Sequence, residues 1–346
     1  MLDAIRGARR SLALEMYTWA DDRLGKRFAH AVALKALEGI TVRVVVDAFG
    51  SLDSSDLMDS LERSGVEVLW YHPLAPWTPS WYPNRRNHRK LLIVDGAIAF
   101  AGGMNLSETY SEEFLGPDAW RDTMVQVEGP AVRRMTRFFL ETWRRCGGPI
   151  RAGGGWAVQR RSRGQAGVQV VGRPGFIGRR SLRRVFLGLI FGARRKIFIA
   201  NGYFAPEGWL RRALCRAARR GVQVELLLSQ TSDVPLVRWA GRASYERLLE
   251  AGARIREMNH AILHAKVAVF DDETLLTGSA NLDYRSFRHN LEVAVNVFDV
   301  KTARKALGAF EEDFGRAEEI SLERWRSRPA SERLLEAVAS AFRYWL

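Results

Sequence analysis

The strongest constraint on the fold of this chain is a stretch of sequence that occurs twice. The first copy is His88-Arg89-Lys90-Leu91-Leu92-Ile93-Val94-Asp95, and Gly102-Gly103-Met104-Asn105 follows it. The second copy is His264-Ala265-Lys266-Val267-Ala268-Val269-Phe270-Asp271, followed by Gly278-Ser279-Ala280-Asn281. In both copies the Lys lies two residues after the His, the Asp seven and the Asn seventeen, and all matched positions are 176 residues apart. A register kept over eighteen residues indicates a duplicated unit.

Strand geometry explains the spacing inside each copy. The apolar runs 91–94 and 267–270 predict buried strands, and side chains two apart on a strand share a face, so each His and its Lys point the same way. The turn residues that follow predict hairpins, with returning strands over 98–101 and 275–277. Each hairpin brings Asn105 or Asn281 back beside its own His, while Gly103 and Ser279 belong to small-residue pairs that permit close backbone approach. One imidazole, one ammonium and one amide together can bind a phosphate, and two copies of the motif predict a symmetric phosphate-binding site.

The segments before each motif repeat as well. A strand over 11–17, a helix over about 23–38 and a strand over 42–47 precede the first copy, and a strand over 196–203, a helix over about 207–220 and a strand over 222–229 precede the second. This order predicts an α/β fold of two similar α-β-α sandwich domains, 1–150 and 151–346, related by a pseudo-twofold axis with the active site at their interface. The second half also has a strand over 168–171 before its first helix. The first half has no equivalent, so we expect its domain to lack an opening strand.

Charge and composition narrow the partners. The net charge of +14 indicates an anionic partner, either phospholipid headgroups or nucleic acid, and composition alone does not choose between them. Cys146 and Cys215 do not form a disulfide framework or a metal site and are predicted to be free structural thiols. The chain contains no run of eighteen apolar residues and no signal peptide pattern, so we expect no membrane span.

Three segments outside the repeat have distinctive residue compositions, which predict separate roles. The loop over 70–86 is rich in Trp, Tyr and Pro and ends in Arg85-Arg86, which suits either a lipid interface or a rigid cover packed on the protein itself. The Gly- and Arg-rich stretch 146–167 is predicted to link the domains. In the last segment, 332–346, one helical stripe carries Leu335, Val338, Ala339, Phe342 and Trp345. This stripe favours docking on the same protein over a membrane helix.

The doubled His-x-Lys-x4-Asp motif, each followed by Gly-[Gly/Ser]-x-Asn, resembles the phospholipase D superfamily. The chain is most similar to the bacterial cardiolipin synthases of the branch without transmembrane helices, and the similarity extends from about residue 4 to about 315. The stretches that carry this closer resemblance are Asn84-Arg85-Arg86-Asn87, Trp120-Arg121-Asp122, Glu128-Gly129-Pro130, Ser232-Asp233-Val234-Pro235-Leu236-Val237 and Asn281-Leu282-Asp283-Tyr284-Arg285-Ser286-Phe287.

The resemblance implies roles for the paired motifs. His88 would attack phosphorus and form a phosphohistidine, and His264 would protonate the departing alcohol, although the nearly symmetric sequence leaves this choice open. The phosphate oxygens would be held by Lys90, Lys266, Asn105 and Asn281. No metal ion or cofactor is expected, because the two ammonium groups supply the positive charge.

Carboxylates complete the predicted site. Glu292 matches the family's His-orienting carboxylate, and Asp122 occupies the corresponding stretch after the first motif. Asp95 and Asp271 belong to the family signature and are therefore counted among the catalytic set. Their positions at strand ends favour a structural role in turn capping or ion pairing.

The resemblance implies a phosphatidyltransferase that moves a phosphatidyl group from phosphatidylglycerol, or alternatively phosphatidylethanolamine, to phosphatidylglycerol. It also implies a peripheral position on the anionic cytoplasmic face of the bacterial cell membrane. The alternatives are a phospholipase D-type hydrolase, a phosphodiesterase acting on nucleic acid and a basic scaffold without catalysis. The synthase-like stretches and the Trp-rich loop argue against nucleic acid, and two complete motifs argue against a scaffold.

Overall fold

A computed structural model describes residues 1–73, 84–149, 164–172, 181–342 and 344. Its strands are β1 (Ser11–Met16), β2 (Thr41–Asp47), β3 (Glu67–Tyr71), β4 (Leu91–Val94), β5 (Ile98–Gly102), β6 (Met124–Glu128), β7 (Gly167–Gly172), β8 (Lys196–Asn201), β9 (Gln223–Ser229), β10 (Arg254–Met258), β11 (Lys266–Phe270), β12 (Thr274–Gly278), β13 (Val293–Phe298) and β14 (Glu318–Glu319). Its helices are α1 (Leu2–Arg6), α2 (Arg23–Leu37), α3 (Ser55–Arg63), α4 (Glu112–Leu115), α5 (Val132–Arg145), α6 (Ser181–Gly192), α7 (Gly208–Arg219), α8 (Pro235–Arg242), α9 (Tyr245–Glu250), α10 (Tyr284–Arg288), α11 (Val300–Gly308), α12 (Glu311–Arg316), α13 (Leu322–Arg326) and α14 (Ala330–Ala341).

The strands form two sheets with the same internal order. The first sheet runs β3-β2-β1-β4-β5-β6, and the second runs β14-β10-β9-β8-β11-β12-β13-β7. Removing the two outermost strands of the second sheet leaves the order of the first, so the predicted α/β duplication is confirmed. Within the described residues the first sheet contains no counterpart of β7, which pairs antiparallel with β13.

Each motif strand lies in the middle of its sheet. β4 pairs antiparallel with β1 and with β5, and β11 pairs antiparallel with β8 and with β12. All residues of β4 and β11 are buried, which explains why these strands are continuous apolar runs without polar alternation. The central position fixes where His88 and His264 stand, because both precede a strand that is held on two sides.

One apolar core joins the two halves. It contains Ile93 and Phe138 from the first half together with Val267, Val269 and Val293 from the second. Two further cores lie behind it, one within each half. Burial of large aliphatic and aromatic side chains stabilises such an interface by roughly 1.5–3 kcal/mol per side chain. This core therefore holds the two halves together in addition to their contacts at the site.

Short backbone pairings also connect the halves, and they are reciprocal. The segment ahead of each motif pairs in parallel with the segment after the other motif, through bridges at Asn87 with Leu291 and at Arg121 with Leu263. The His88 N–H donates to the Leu291 carbonyl over 3.0 Å, and the His264 N–H donates to the Arg121 carbonyl over 2.8 Å. This exchange is the arrangement that a pseudo-twofold relation produces.

The C-terminal helix departs from the sequence expectation. Of the predicted docking stripe, Ala339 is buried, but Leu335, Val338 and Phe342 are exposed, and Trp345 lies outside the described residues. The prediction that this stripe docks on the protein itself is therefore wrong for three of its four described residues. α14 packs on α8 through a neighbouring face that includes Glu336, whose carboxylate accepts from Arg328 over 3.0 Å. Glu336 also lies 4.0 Å from Arg242 of α8, so a charged residue occupies the packed face, which apolar periodicity alone does not predict.

Several other expectations concern the connecting segments. Most of the aromatic loop (74–83) and most of the linker (150–163), with the predicted domain boundary, lie outside the described residues, so these interpretations stay predictions. Cys146 and Cys215 are free, as predicted. Throughout the described ranges, none of the helices combines the length and the apolar character needed to cross a membrane.

Candidate active site

A cavity of about 470 Å³ opens at the interface between the two halves. Both motif histidines line it, so the two imidazoles that are far apart in sequence meet in one space. The other lining residues include Tyr17, Phe49, Asn105, Tyr110 and Trp120 from the first half and Tyr203, Val234, Val237, Asn281, Arg285 and Asn290 from the second.

His88 stands at the start of the first motif, just before β4, with its ring held from one side. Its Nδ1 lies 3.1 Å from one carboxylate oxygen of Glu292 and 3.3 Å from the other. Glu292 is in turn held by the Ser279 hydroxyl, which donates to Oε2. The ring of Tyr17 packs edge-on against the imidazole, with the ring centroids 4.9 Å apart. With Nδ1 occupied by a carboxylate, Nε2 is the nitrogen left to face a substrate.

His264 is held in the same way on the opposite side. Its Nδ1 lies 2.6 Å from Asp122 Oδ2, and the Tyr110 hydroxyl lies 3.4 Å from the same nitrogen. The rings of Tyr110, Trp120 and Tyr203 surround the imidazole, with ring centroids 5.4–5.5 Å away. His264 therefore sits in an aromatic enclosure, whereas one aromatic ring, that of Tyr17, packs on His88 among the described residues.

The orienting carboxylates are exchanged between the halves. Glu292 follows the second motif but holds His88, and Asp122 follows the first motif but holds His264. The sequence indicated both carboxylates, yet not which imidazole each one holds. The backbone exchange described above explains the crossing, because Leu291 and Arg121 pair with the opposite motif segments and carry the next residue with them.

Both motif lysines are fully enclosed beneath the histidines. Lys90 Nζ donates to the His88 carbonyl over 2.9 Å and lies 5.0 Å from the centroid of the Tyr17 ring. Lys266 Nζ donates to the His264 carbonyl and lies 2.9 Å from His264 Nδ1. These hydrogen bonds tie each ammonium to its own histidine, as expected for side chains two apart on one strand face.

Burial dominates the electrostatics of the site. It lowers the pKa of His88 and of His264 well below the usual range, and the charges of the two lysines lower both further. Burial also raises the pKa of Glu292 and of Asp122 to about 7. It lowers the pKa of Lys266 to about 8, against the opposing effect of the Asp122 charge. Each imidazole and its carboxylate therefore share one proton that titrates near neutrality.

The two motif asparagines differ in their surroundings. In the first half, Asn105 Nδ2 donates to the Tyr110 hydroxyl over 2.9 Å, and its Oδ1 accepts from the Thr18 N–H over 3.2 Å. In the second half, Asn281 Oδ1 is buried against the cavity with no hydrogen-bond partner among the described residues. The cavity is thus not symmetric in its hydrogen-bonding capacity, although the motif is.

The small residue two positions before each asparagine lies against an orienting carboxylate. A Cβ on Gly103 would lie 2.3 Å and 2.5 Å from the two carboxylate oxygens of Asp122. At the matching position, Ser279 uses its side chain to donate to Glu292. Glycine thus makes room for one carboxylate, and serine holds the other.

Asp95 and Asp271 lie away from the cavity, at the far ends of the motif strands. Asp95 accepts from the backbone N–H groups of Arg9, Arg10 and Ser11 over 2.8–3.0 Å. Asp271 repeats the arrangement with residues 194–196. A strand rises about 3.3 Å per residue, so seven residues separate each aspartate from its histidine by roughly 20 Å. This geometry supports the turn-capping interpretation.

Sequence reasoning missed several residues of the cavity wall. Tyr17 and Tyr203 follow equivalent strands, β1 and β8, and their recurrence after the repeated strand was a usable signal. Trp120 and Asn290 occupy matching positions, each two residues before an orienting carboxylate, but the two halves share no residue type there to reveal this. In the described part of the chain, the cavity included, no cluster of three His, Cys, Asp or Glu side chains is placed to hold a metal ion.

The arrangement provides the parts that a two-step substitution at phosphorus needs. Two oriented imidazoles line one space, ammonium groups lie below them, and the cavity is large enough for a phosphodiester with part of an alcohol. A nucleophile on one side and an acid on the other can act in line through the phosphorus atom.

Comparisons with known proteins agree with this geometry. The family model described as cardiolipin synthase, PLD-like domain matches residues 1–143 and 186–314. The cardiolipin synthase of Geobacillus thermodenitrificans is 33% identical over 98% of this chain and 68% of its own length. Cardiolipin synthase 2 of Bacillus anthracis is 32% identical over 98% of this chain and 66% of its own length. This chain thus spans about two thirds of these relatives.

Two further matches extend the comparison. Cardiolipin synthase B of Escherichia coli is 36% identical over 86% of this chain and 72% of its own length. The solved structure of phosphatidylserine synthase from Haemophilus influenzae aligns with all of this chain and 92% of its own, with a TM-score of 0.72 and 14% identity, which is a likeness of fold. The chain belongs to the cardiolipin synthase family of the phospholipase D superfamily.

Proposed function

We propose that this enzyme is a phosphatidyltransferase that makes cardiolipin through a phosphohistidine. The observation that carries the proposal is the convergence of two carboxylate-oriented imidazoles on one cavity. The donor is phosphatidylglycerol or phosphatidylethanolamine, and the acceptor is phosphatidylglycerol. The enzyme works at the anionic cytoplasmic face of the membrane as a peripheral protein, which agrees with its net charge of +14.

In the first half-reaction, neutral His88 attacks phosphorus through Nε2 while Glu292 accepts the hydrogen bond from Nδ1–H. The bond from phosphorus to the headgroup alcohol breaks, and the His264–Asp122 pair supplies the proton to the departing oxygen. In the second half-reaction, His264 removes the proton from a phosphatidylglycerol hydroxyl. The oxygen attacks phosphorus, the phosphorus–nitrogen bond breaks and His88 is restored. Lys90 and Lys266 offset the charge on the phosphate oxygens in both steps.

The enclosure around His264 favours transfer to an alcohol over hydrolysis. Tyr110, Trp120 and Tyr203 line the side of the cavity where the alcohol leaves and enters, and apolar rings there limit access of water to the phosphohistidine. We expect Trp120→Ala to raise the ratio of phosphatidic acid to cardiolipin severalfold, measured by mass spectrometry of products from phosphatidylglycerol. Phe191→Ala, at an exposed aromatic residue of α6 that does not line the cavity, is the control. An unchanged product ratio in Trp120→Ala would contradict this role of the enclosure.

The proposed function is tested by incubating the protein with phosphatidylglycerol vesicles, with and without phosphatidylethanolamine, and identifying the products by mass. We expect cardiolipin from the wild-type protein and none from His88→Ala or His264→Ala. Formation of phosphatidic acid alone would instead show a hydrolase, and cleavage of DNA without any lipid product would show a nuclease.

The identity of the nucleophile is tested separately. When the wild-type protein is denatured rapidly during turnover, a labelled phosphatidyl group should be bound to His88, where peptide mapping locates it, and His88→Asn should carry no label. Labelling of the wild-type protein at His264 would reverse the assignment.

A further inference from the structure

Large apolar side chains are exposed at the mouth of the active-site cavity. Phe49 and Val234 line the cavity, yet they are 55% and 39% exposed. Leu236, in the first turn of α8, is 51% exposed. Single exposed apolar residues are ordinary on protein surfaces, but several at the entrance of a site indicate an interaction surface.

The helix α14 adds an exposed apolar stripe. Leu335, Val338 and Phe342, the residue directly after the helix, are separated by three and four positions, which places them within an arc of about 60° on a helix of 3.6 residues per turn. They are 50%, 48% and 55% exposed. The buried side of α14 faces α8, so the stripe has no protein neighbour that covers it in the described part of the chain.

The stripe and the cavity mouth are neighbours in the fold. Ala339 of α14 packs in one small apolar cluster with Val237 and Ala240 of α8, and Val237 also lines the cavity. Beyond the helix, the Tyr344 ring lies 5.0 Å from the ring of Tyr284, which directly precedes the cavity residue Arg285. α14 therefore runs along the second-half side of the entrance.

We propose that Phe49, Val234, Leu236, Leu335, Val338 and Phe342 form a docking rim that inserts into the surface of an anionic phospholipid bilayer. The inference rests on the proposed function, because a cavity that takes phospholipids must receive them from a bilayer. With the rim inserted, a lipid headgroup enters the cavity while its acyl chains stay in contact with apolar side chains. A rim that faced water would not keep the acyl chains in contact with apolar side chains.

Charge selects the bilayer over a second copy of the chain as the occupant. With a net charge of +14, two copies repel each other, whereas the same charge attracts phosphatidylglycerol.

The test uses the full chain with the triple substitution Leu335→Gln, Val338→Gln and Phe342→Gln. Glutamine is a good helix former, so α14 is retained, which circular dichroism checks. The matched control is Leu34→Gln with Leu37→Gln, two exposed leucines of α2 that do not line the active-site cavity. Binding to phosphatidylglycerol vesicles is measured by co-sedimentation. Turnover is measured on those vesicles and on short-chain phosphatidylglycerol dissolved as monomers.

We expect the triple variant to bind vesicles at least about tenfold more weakly, because three apolar side chains no longer enter the bilayer. Its turnover should fall on vesicles and stay unchanged on the dissolved substrate, while the α2 control behaves as wild type. Unchanged vesicle binding would overturn the proposal, and so would a wild-type dimer that the triple substitution dissociates while vesicle binding is kept. Failure of the wild-type protein to convert even the dissolved substrate would count against the proposed function instead.

Discussion

At the scale of single residues, the site depends on two imidazole–carboxylate pairs that differ in their supporting residue. Ser279 donates a hydrogen bond to Glu292, whereas Gly103 leaves space for Asp122. Both pairs are buried, and burial is what raises the pKa of each carboxyl to about 7. Small changes of volume or charge next to these carboxylates should therefore alter catalysis more than folding.

Gly103→Ala tests the role of volume. The new Cβ would overlap the Asp122 carboxylate, which must then move away from His264 Nδ1. We expect kcat to fall by about 10²-fold or more, since loss of the orienting carboxylate in comparable pairs removes up to about 10⁴-fold. Steady-state kinetics on dissolved phosphatidylglycerol measures this. Gly202→Ala is unsuitable as a control because its Cβ meets backbone, so Gly188→Ala, which meets open space on α6, is used. Wild-type kcat in Gly103→Ala would contradict the arrangement.

The pH dependence of kcat/KM tests the role of charge. The His88–Glu292 pair must lose its shared proton for His88 to attack, so the rate should rise with pH through about 7. The His264–Asp122 pair must keep its proton, and Lys266 with a pKa of about 8 must stay charged, so the rate should fall at higher pH. We expect a narrow bell near neutrality. Glu292→Gln cannot titrate, so it should lose the acidic limb and keep the alkaline one. An acidic limb that persists in Glu292→Gln would assign that limb to another group.

At the scale of secondary-structure elements, the motif hairpin is anchored at both ends by different chemistry. The histidine end is held by backbone pairing with the other half. The aspartate end is held by hydrogen bonds to the turn before the neighbouring strand of its own sheet, which is β1 for Asp95 and β8 for Asp271. Asp95 and Asp271 also take positive φ values of 54° and 53°, a region that aspartate and asparagine tolerate better than most residues. The aspartate of the motif thus secures the element that carries the histidine.

Asp95→Ala should therefore affect stability and leave the chemistry intact. Three backbone N–H groups lose their acceptor and alanine is strained at positive φ, which together lower the free energy of unfolding by about 1–3 kcal/mol. Urea unfolding measures the change, and kcat at low temperature should remain within about twofold. Asp95→Asn, which keeps one acceptor oxygen and tolerates the same φ, should lose less stability. A large fall in kcat in both variants would instead give the aspartate a part in catalysis.

At the scale of the whole molecule, the site exists because two halves exchange parts. Neither half holds a complete imidazole–carboxylate pair, since Glu292 serves His88 and Asp122 serves His264. The shared apolar core keeps these pairs in register, because it includes side chains from both sheets.

Separating the halves tests this interdependence. Fragments 1–149 and 164–346 should each be inactive alone, even at high concentration. The first fragment lacks His264 and the Glu292 carboxylate that holds His88, and the second lacks His88 and the Asp122 carboxylate that holds His264. Co-expression should restore part of the cardiolipin synthesis if the apolar interface re-forms, and Glu292→Gln in the second fragment should lower that recovered activity by the same factor by which it lowers the activity of the intact chain. Activity of either fragment by itself would refute the shared site.

The sequence by itself determined the duplication, the strand that carries each motif and the types of residue at the site. These follow from local rules: the period of a strand puts His88 beside Lys90, and the repeat gives the same result for His264 and Lys266. Glu292 and Asp122 could be identified because they lie in matching stretches after the two motifs. The exposed stripe of α14 was misassigned, because a helical period indicates an apolar face without indicating what covers it.

Only the tertiary structure decided which carboxylate holds which imidazole, and how the aromatic and polar walls of the cavity are divided between the two histidines. Both depend on contacts between residues more than 140 positions apart, such as His264 with Asp122 and His88 with Glu292. Such pairings are set by the packing of one sheet against the other. Local spacing is the same whether a carboxylate turns toward its own motif or the opposite one, so the spacing alone could not distinguish the two arrangements.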